Sequence, residues 1–356
     1  MTNAATKRNF GLDLLRVIAC YMVVQIHTGE FYYIGPQGEV LHTANAQWVG
    51  WLNSLFRSCV PLFVMISGFF LFPISDTRQF FKKRLTRVAI PFIIWCALYA
   101  VYFYLTGQST FTEALKNILK IPVNFGTEIG HLWFVYMLIG IYLFAPLISQ
   151  WVQTASRANM QLYLVLWGIA LSVPYIHLIF PEILGECYWN HTPLLYYFSG
   201  FLGYVILANY IKRFYMQPAA WNYTAGILLI IAGYAITAYG FLHRLPTENV
   251  VMNVEVTWGF ESINVAMITA GIFIMVKNIH TSSSTGVTKF ITDISAKSYG
   301  MYLAHIMLLR TIFPFIDPHF ASAAIKVPLI AVTTFFSTYL VIKCLSYLPK
   351  SKLFIG

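Results

Sequence analysis

Long apolar stretches alternate with short polar connections along the whole chain. Each stretch runs for about 18 to 25 residues, the length that an α-helix needs to cross the hydrocarbon layer of a bilayer. Ten stretches are predicted to span a membrane: 10–31, 48–72, 88–106, 131–150, 160–181, 194–211, 222–243, 258–276, 297–316 and 323–347. The pattern therefore predicts an all-α polytopic membrane protein of about ten transmembrane helices, forming a single transmembrane domain over residues 1–356.

The composition agrees with a membrane protein. The chain is 58% hydrophobic and only 10% charged, with a mean hydropathy of +0.66, whereas soluble domains carry about 25% charged residues. The first apolar stretch follows Lys7 and Arg8, as in a cleaved signal peptide. Its polar residues Arg16, Gln25 and His27, and the lack of a small-residue cleavage site, favour a helix that is retained.

Lysine and arginine indicate the orientation, because they concentrate in cytoplasmic connections. With the N-terminus inside, the cytoplasmic segments hold Lys7, Arg8, Arg78, Lys82, Lys83, Arg84, Arg87, Arg157, Lys212, Arg213, Lys277, Lys289, Lys297, Lys343, Lys350 and Lys352. The outer segments hold only Lys116, Lys120, Arg244 and Lys326, and they also collect glutamates such as Glu30 and Glu255. Both termini are therefore predicted to be cytoplasmic. The net charge of +10 reflects this bias, and no compact basic region suggests nucleic acid.

The first predicted helix carries Arg16 and His27, eleven positions apart. At 100° per residue they return to within about 20° of one another, so they share a helix face, about 16 Å apart along the axis. Ionisable residues inside membrane helices are costly and usually face a bundle interior or a cavity. His27 is a candidate general base, because a neutral imidazole can take a proton from a hydroxyl. The structural alternative is a histidine that bonds to a neighbouring helix.

A basic run precedes the third predicted helix. Lys82 and Lys83 are typical of ordinary cytoplasmic charge. Arg84 and Arg87 lie three apart and so share a helix face. Two neighbouring guanidinium groups suit bidentate binding of phosphate.

A third set of polar residues is scattered over four helices. Its members are Arg57, Ser67, His131, Trp133, Glu261, Ser298, Tyr302 and His305. Arg57 and Glu261 are the costliest to bury, and either they pair with each other or one of them lines the entrance for an acceptor. His305 is equally consistent with a packing role.

Other motifs add little. The five cysteines show no disulfide framework or metal-ligand spacing, and no metal is expected. We find no Walker loop, no dinucleotide fingerprint and no internal repeat of the kind found in many transporters.

These residues resemble the acyltransferase 3 family of integral membrane acyltransferases. The likeness covers nearly the whole chain. It rests on Arg16 with His27, VPLF at 60–63 leading to Ser67, Arg84 with Arg87, HLWF at 131–134 and SYGMYLAH at 298–305.

The resemblance implies transfer of an acyl group, usually acetyl, from cytoplasmic acyl-CoA to a hydroxyl of a cell-surface or lipid-linked glycan. It also implies a bacterial inner (plasma) membrane location. In the resulting hypothesis Arg84 and Arg87, assisted by Lys83, bind the donor phosphates. The donor arm passes Arg16, which either holds the arm or stabilises developing negative charge. His27 activates the acceptor hydroxyl for direct attack on the thioester, and an acyl-histidine intermediate is the less favoured alternative. Alternatives are a permease for polysaccharide or a small solute, and a scaffold for a surface-glycan complex.

Overall fold

The structure, a computed structural model, describes residues 9–121, 127–180, 200–281 and 285–356. It is helical, and the described residues contain only isolated β-bridges rather than strands. The helices are α1 Phe10–Tyr33, α2 Ala44–Phe56, α3 Cys59–Phe69, α4 Thr77–Leu105, α5 Phe111–Lys120, α6 Trp133–Thr154, α7 Arg157–Ala170, α8 Val173–Ile179, α9 Leu202–Phe214, α10 Ala219–Arg244, α11 Val251–Val254, α12 Ile263–Val276, α13 Gly286–Ile316, α14 Ala323–Leu345 and α15 Lys352–Ile355. Short 3₁₀ turns cover Thr127–Leu132, Glu255–Trp258 and Asp317–His319.

Polar caps set where several helices begin. Asn9 accepts a hydrogen bond from the Leu12 N–H at 3.2 Å and so starts α1, because a helix leaves its first N–H groups without partners. Thr110 and Glu113 form a reciprocal capping box at the start of α5. The Thr110 backbone N–H donates to the Glu113 carboxylate, and this bond and the bond from the Thr110 hydroxyl hold the pKa of Glu113 below its ordinary value.

Seven helical segments of the described chain are long and apolar enough to cross a membrane. They are Phe10–Tyr33, Ala44–Phe69, Thr77–Leu105, Gly130–Thr154, Ala219–Arg244, Gly286–His319 and Ala323–Leu345. An eighth is possible if Val251–Trp258 and Ile263–Val276, bent by 42° at a break, form one span. The prediction of an all-α polytopic membrane protein is confirmed.

The predicted number of spans is not reproduced. The stretch 160–181 contains two shorter helices, α7 and α8, and only the later part of 194–211 is described, within α9. The stretch 258–276 lies in the bent pair, because Gly259 and Ser262 interrupt the helix there. About ten spans, and cytoplasmic termini, therefore remain predictions.

Contacts group the chain into two compact units, each made of separate segments. The first unit comprises Met1–Phe70, Ala155–Ala296 and Ala321–Val327. Within it α10 packs closely on α12, and α1 packs on α2 and α3. The Asn53 side chain of α2 donates to the Ile26 carbonyl of α1 at 3.0 Å, and Asn209 of α9 donates to the Gly68 carbonyl of α3 at 2.9 Å. Buried amide groups thus tie the helices together.

The second unit comprises Leu71–Thr154, Lys297–Phe320 and Pro328–Gly356. Here α4 packs against α5, α6 and α15. The Trp95 indole of α4 donates to the Phe354 carbonyl at 2.8 Å, and the Tyr299 hydroxyl donates to the Val88 carbonyl at 2.8 Å. Aromatic side chains with one polar atom therefore join the helices of this unit.

Close packing of α10 on α12 depends on small residues. A Cβ atom on Gly233 would lie 2.5 Å from the Asn264 carbonyl oxygen of α12. Backbone atoms cannot yield as a flexible side chain can, and helices in membranes approach closely through small residues of this kind.

We predict that Gly233→Val destabilises the protein by about 1–3 kcal/mol, the usual effect of overpacking. The measurement is thermal unfolding in detergent, followed by fluorescence. Gly140→Val is the matched control, because a Cβ at Gly140 in α6 would meet nothing within 4 Å. Equal melting temperatures for the two variants would contradict the prediction.

Candidate active site

Helix α1 carries both Arg16 and His27 without interruption. The eleven-residue separation therefore places them on one helix face, as the sequence predicts. Both side chains are half-buried.

His27 lies one helical turn before Glu30. Its Nδ1 atom is 3.0 Å from each carboxylate oxygen of Glu30. An ionised carboxylate can only accept hydrogen bonds, so Nδ1 carries the proton, and Nε2 of the neutral ring holds the lone pair. The His27 side chain is 16% exposed and that of Glu30 is 37% exposed. The pair has the arrangement of a general base whose tautomer is fixed by a carboxylate.

Arg16 belongs to a three-residue network at the other end of α1. Its Nη1 atom lies 3.4 Å from the Asp13 carboxylate and donates to the Ser295 hydroxyl at 3.1 Å. Ser295 in turn donates to Asp13 at 2.7 Å. Asp13 is 6% exposed and Arg16 29% exposed. The buried carboxylate offsets the arginine charge and holds the guanidinium in place, while part of Arg16 can be reached from outside.

Arg57 lies at the junction of α2 and α3 and is 8% exposed. Its Nε atom donates to the Trp258 carbonyl at 3.0 Å. The guanidinium carbon lies 5.0 Å from the centre of the Trp258 ring and 4.9 Å from that of Phe260. Arg57 is therefore held by a carbonyl and two aromatic rings.

Glu261 lies just before α12, where its carboxylate accepts a hydrogen bond from the Phe201 backbone. Arg57 and Glu261 do not form an ion pair, because Arg57 turns towards the two aromatic rings. The other possibility, that either one lines the acceptor entrance, stays a prediction. Ser67 is half-buried in the last turn of α3.

The predicted donor-binding residues lie on α4, in the second unit. Arg84 is half-buried, and its guanidinium carbon is 5.9 Å from the Tyr142 ring centre. Arg87 and Lys83 are exposed. Arg84 and Arg87 share one face of a continuous helix.

The second unit also brings His131, Tyr302 and His305 together. The Tyr302 hydroxyl donates to the His131 carbonyl at 2.6 Å. The two imidazole rings meet edge to face with their centres 5.1 Å apart. Tyr99 adds a third ring, 5.3 Å from His131. Residues that look scattered in the sequence thus form one buried aromatic and polar cluster.

Two further candidates flank this cluster. Trp133 opens α6 beside Phe134, with ring centres 6.5 Å apart, and Phe134 contacts Tyr302. Ser298 is buried one helical turn before Tyr302. In the described part of the chain, no group of three or more histidine, cysteine, aspartate or glutamate side chains is arranged to hold a metal ion.

Three residues of these networks were not singled out from the sequence. Glu30 and Asp13 each lie three positions from the residue they contact, and that helical spacing was visible in the chain. Ser295 is distant in sequence, and nothing in the pattern pointed to it.

Two bacterial racemases are similar to part of the chain. A serine/alanine racemase of Enterococcus gallinarum is 31% identical over 142 residues, which are 37% of this chain and 18% of that protein. An amino-acid racemase of Enterococcus faecalis is 31% identical over 130 residues, which are 35% of this chain and 17% of that protein. The matches thus span less than a fifth of either relative. No solved structure matches the chain.

The acyltransferase 3 family model, which describes an acyltransferase domain, covers almost the whole chain. It matches residues 9–346 and therefore includes α1 with Arg16 and His27, α4 with Arg84 and Arg87, and the cluster around His131. The resemblance seen in the sequence is confirmed. This chain belongs to the acyltransferase 3 family of membrane acyltransferases.

Proposed function

We propose that the protein transfers an acyl group, acetyl above all, from acyl-CoA to a hydroxyl of a cell-surface or lipid-linked glycan. The observation that carries the proposal is the His27–Glu30 pair inside a membrane helix of a chain that belongs to an acyltransferase family. Acyl transfer to a hydroxyl needs a base with a fixed tautomer, and this pair supplies one.

The chemical step begins with proton transfer. Nε2 of His27 takes the proton of the acceptor hydroxyl while the oxygen attacks the thioester carbonyl carbon. The tetrahedral intermediate then breaks its carbon–sulfur bond, and the departing thiolate of CoA receives the proton from His27. The products are the acyl ester and free CoA, with His27 neutral again. Glu30 stabilises the imidazolium between the two proton transfers.

Arg16 supplies positive charge on the same helix face. A guanidinium held by Asp13 and Ser295 is preorganised, and preorganised charge stabilises developing negative charge better than water does. We assign to Arg16 the binding of the donor arm or the stabilisation of such charge.

Arg84 and Arg87 are proposed to bind the phosphates of the donor, with Lys83 beside them. Neighbouring guanidinium groups on one helix face match the paired oxygens of phosphate. The half-buried position of Arg84 supports its proposed role in phosphate binding, because contact with the Tyr142 ring holds the guanidinium against the protein surface.

The remaining candidates are proposed to support the acceptor. They are Arg57, Ser67, His131, Trp133, Glu261, Ser298, Tyr302 and His305. The distribution of lysine and arginine supports the placement of both termini in the cytoplasm. The plasma-membrane location is proposed from membership of the family.

A permease is the second candidate function. Charged residues inside membrane helices, such as Arg16 with Asp13, are typical of solute pathways as well as of enzymes. The two functions differ in their need for a thioester donor, which only the enzyme requires.

We predict that His27→Ala abolishes acyl transfer, lowering the rate at least about 10²-fold, because a positioned general base contributes about 10²–10⁴-fold. The measurement is transfer of radiolabelled acetyl groups to membrane glycans in vesicles. His243→Ala is the matched control, since His243 is exposed at the end of α10. Normal turnover by well-folded His27→Ala protein would exclude the mechanism.

Glu30→Gln tests the positioning role of the carboxylate. We expect kcat to fall about 10- to 100-fold with little change in KM, because Gln cannot stabilise the imidazolium and can present the wrong hydrogen-bonding group to Nδ1. The pH profile of kcat should shift as well. A variant with unchanged kcat and an unchanged profile would assign Glu30 a structural role only.

We predict that Arg84→Ala/Arg87→Ala weakens acetyl-CoA binding at least about tenfold, or about 1.4 kcal/mol. The measurement is calorimetric titration of purified protein in detergent. Arg78→Ala is the control, because Arg78 is exposed on the same helix. If the folded parent protein bound no acyl-CoA, the permease would be favoured.

A further inference from the structure

Arg57 is a buried cation without a described counter-ion. Within 4 Å of its guanidinium nitrogens the described residues offer no carboxylate, and its hydrogen bond is the one from Nε to the Trp258 carbonyl. A carbonyl dipole and two aromatic faces reduce the cost of burying a guanidinium, but they do not neutralise its charge.

Carboxylates in this part of the first unit have other partners, and Glu261 accepts from the Phe201 backbone. Glu255 accepts a hydrogen bond from the Tyr33 hydroxyl. Glu30 is bound to Nδ1 of His27 at 3.0 Å. Among the described residues Arg57 has no anionic partner, so its positive charge is available to an anionic group.

The orientation of the guanidinium selects the kind of group. Nε is occupied by the Trp258 carbonyl, and the flat faces lie near Trp258 and Phe260. The remaining edge is the one formed by the two terminal nitrogens. That edge donates two parallel hydrogen bonds, which match the two oxygens of a carboxylate or phosphate group.

Arg57 lies close to the proposed catalytic pair. Arg57 binds the carbonyl of Trp258, and the ring of Trp258 packs against a residue of α1. That residue is Tyr33, six positions beyond His27 and three beyond Glu30, and the centres of the Tyr33 and Trp258 rings are 5.5 Å apart. The Arg57 guanidinium and the His27–Glu30 pair thus belong to the same end of the first unit.

We propose that Arg57 binds an anionic group of the acceptor, a carboxylate or a phosphate, and so selects acidic glycans for reaction at His27. The inference rests on the proposed function, since it names the substrate class of the same site. Binding of the anion neutralises the buried cation and fixes one end of the acceptor. A hydroxyl of the same sugar then faces His27.

The test measures binding of three soluble sugars to the purified protein in detergent by titration calorimetry. Methyl β-D-glucuronide carries a carboxylate, glucose 1-phosphate carries a phosphate, and methyl β-D-glucoside is the neutral match. We expect one or both acidic sugars to bind at least tenfold more tightly than the glucoside. The stronger of the two identifies which anion Arg57 receives.

Substitutions then assign the preference to Arg57. Arg57→Gln should abolish the tenfold preference, and Arg57→Lys should reduce it, because lysine keeps the charge but lacks the two-nitrogen edge. Arg244→Gln, at the end of α10, should leave it unchanged. If Arg57→Gln does not fold, Arg57→Lys decides the question.

Two results would overturn the proposal. One is equal binding of acidic and neutral sugars, or binding of neither, by the parent protein. The other is an acidic preference that survives in folded Arg57 variants, which would leave Arg57 the structural task of holding the Trp258 segment. Titration of the same samples with acetyl-CoA distinguishes failure of the Arg57 proposal from failure of the proposed acyltransferase function. If the protein had an Arg57-dependent anion site but did not bind acyl-CoA, the proposed acyltransferase function would be refuted and the proposed anion site would stand.

Discussion

Burying a charge inside a membrane costs free energy, and this cost determines how the ionisable residues of the first unit are arranged. An ionisable side chain in a bilayer-spanning helix must find compensation within the protein. On α1 the compensation is local, because Asp13 lies one turn from Arg16 and Glu30 one turn from His27. At Arg57 it comes from a carbonyl and two aromatic rings instead. The net charge that remains therefore differs around Arg16, His27 and Arg57. The role proposed for each of these residues follows from that difference.

The sequence predicts the helical membrane fold and the family, because both depend on features that short stretches of the chain show by themselves. Apolar length reveals the spans, and Arg16 with His27 are related by helical spacing alone. The partners of these residues were harder to foresee. Glu30 looked like one of several outer glutamates, and Ser295 reaches Arg16 only because the chain folds back over a long sequence distance.

The bent and short helices show a second limit of prediction from the sequence. Hydropathy treats 258–276 as one uniform span, whereas Gly259 and Ser262 interrupt it and let Trp258 turn its carbonyl to Arg57. Likewise, Arg57 and Glu261 look like natural ion-pair partners from burial cost. The aromatic residues beside the break provide Arg57 with a different environment, and their position depends on tertiary packing that no local pattern records.

The His27–Glu30 pair is contained within one turn of a single helix. Within the pair, the direction of the imidazole is set by another residue of α1, one helical turn away. Helices that surround α1 can therefore differ in sequence without removing the contact between His27 and Glu30. For the proposed reaction, such independence would allow the acceptor to change through the residues around α1 while the proton-transfer pair is kept.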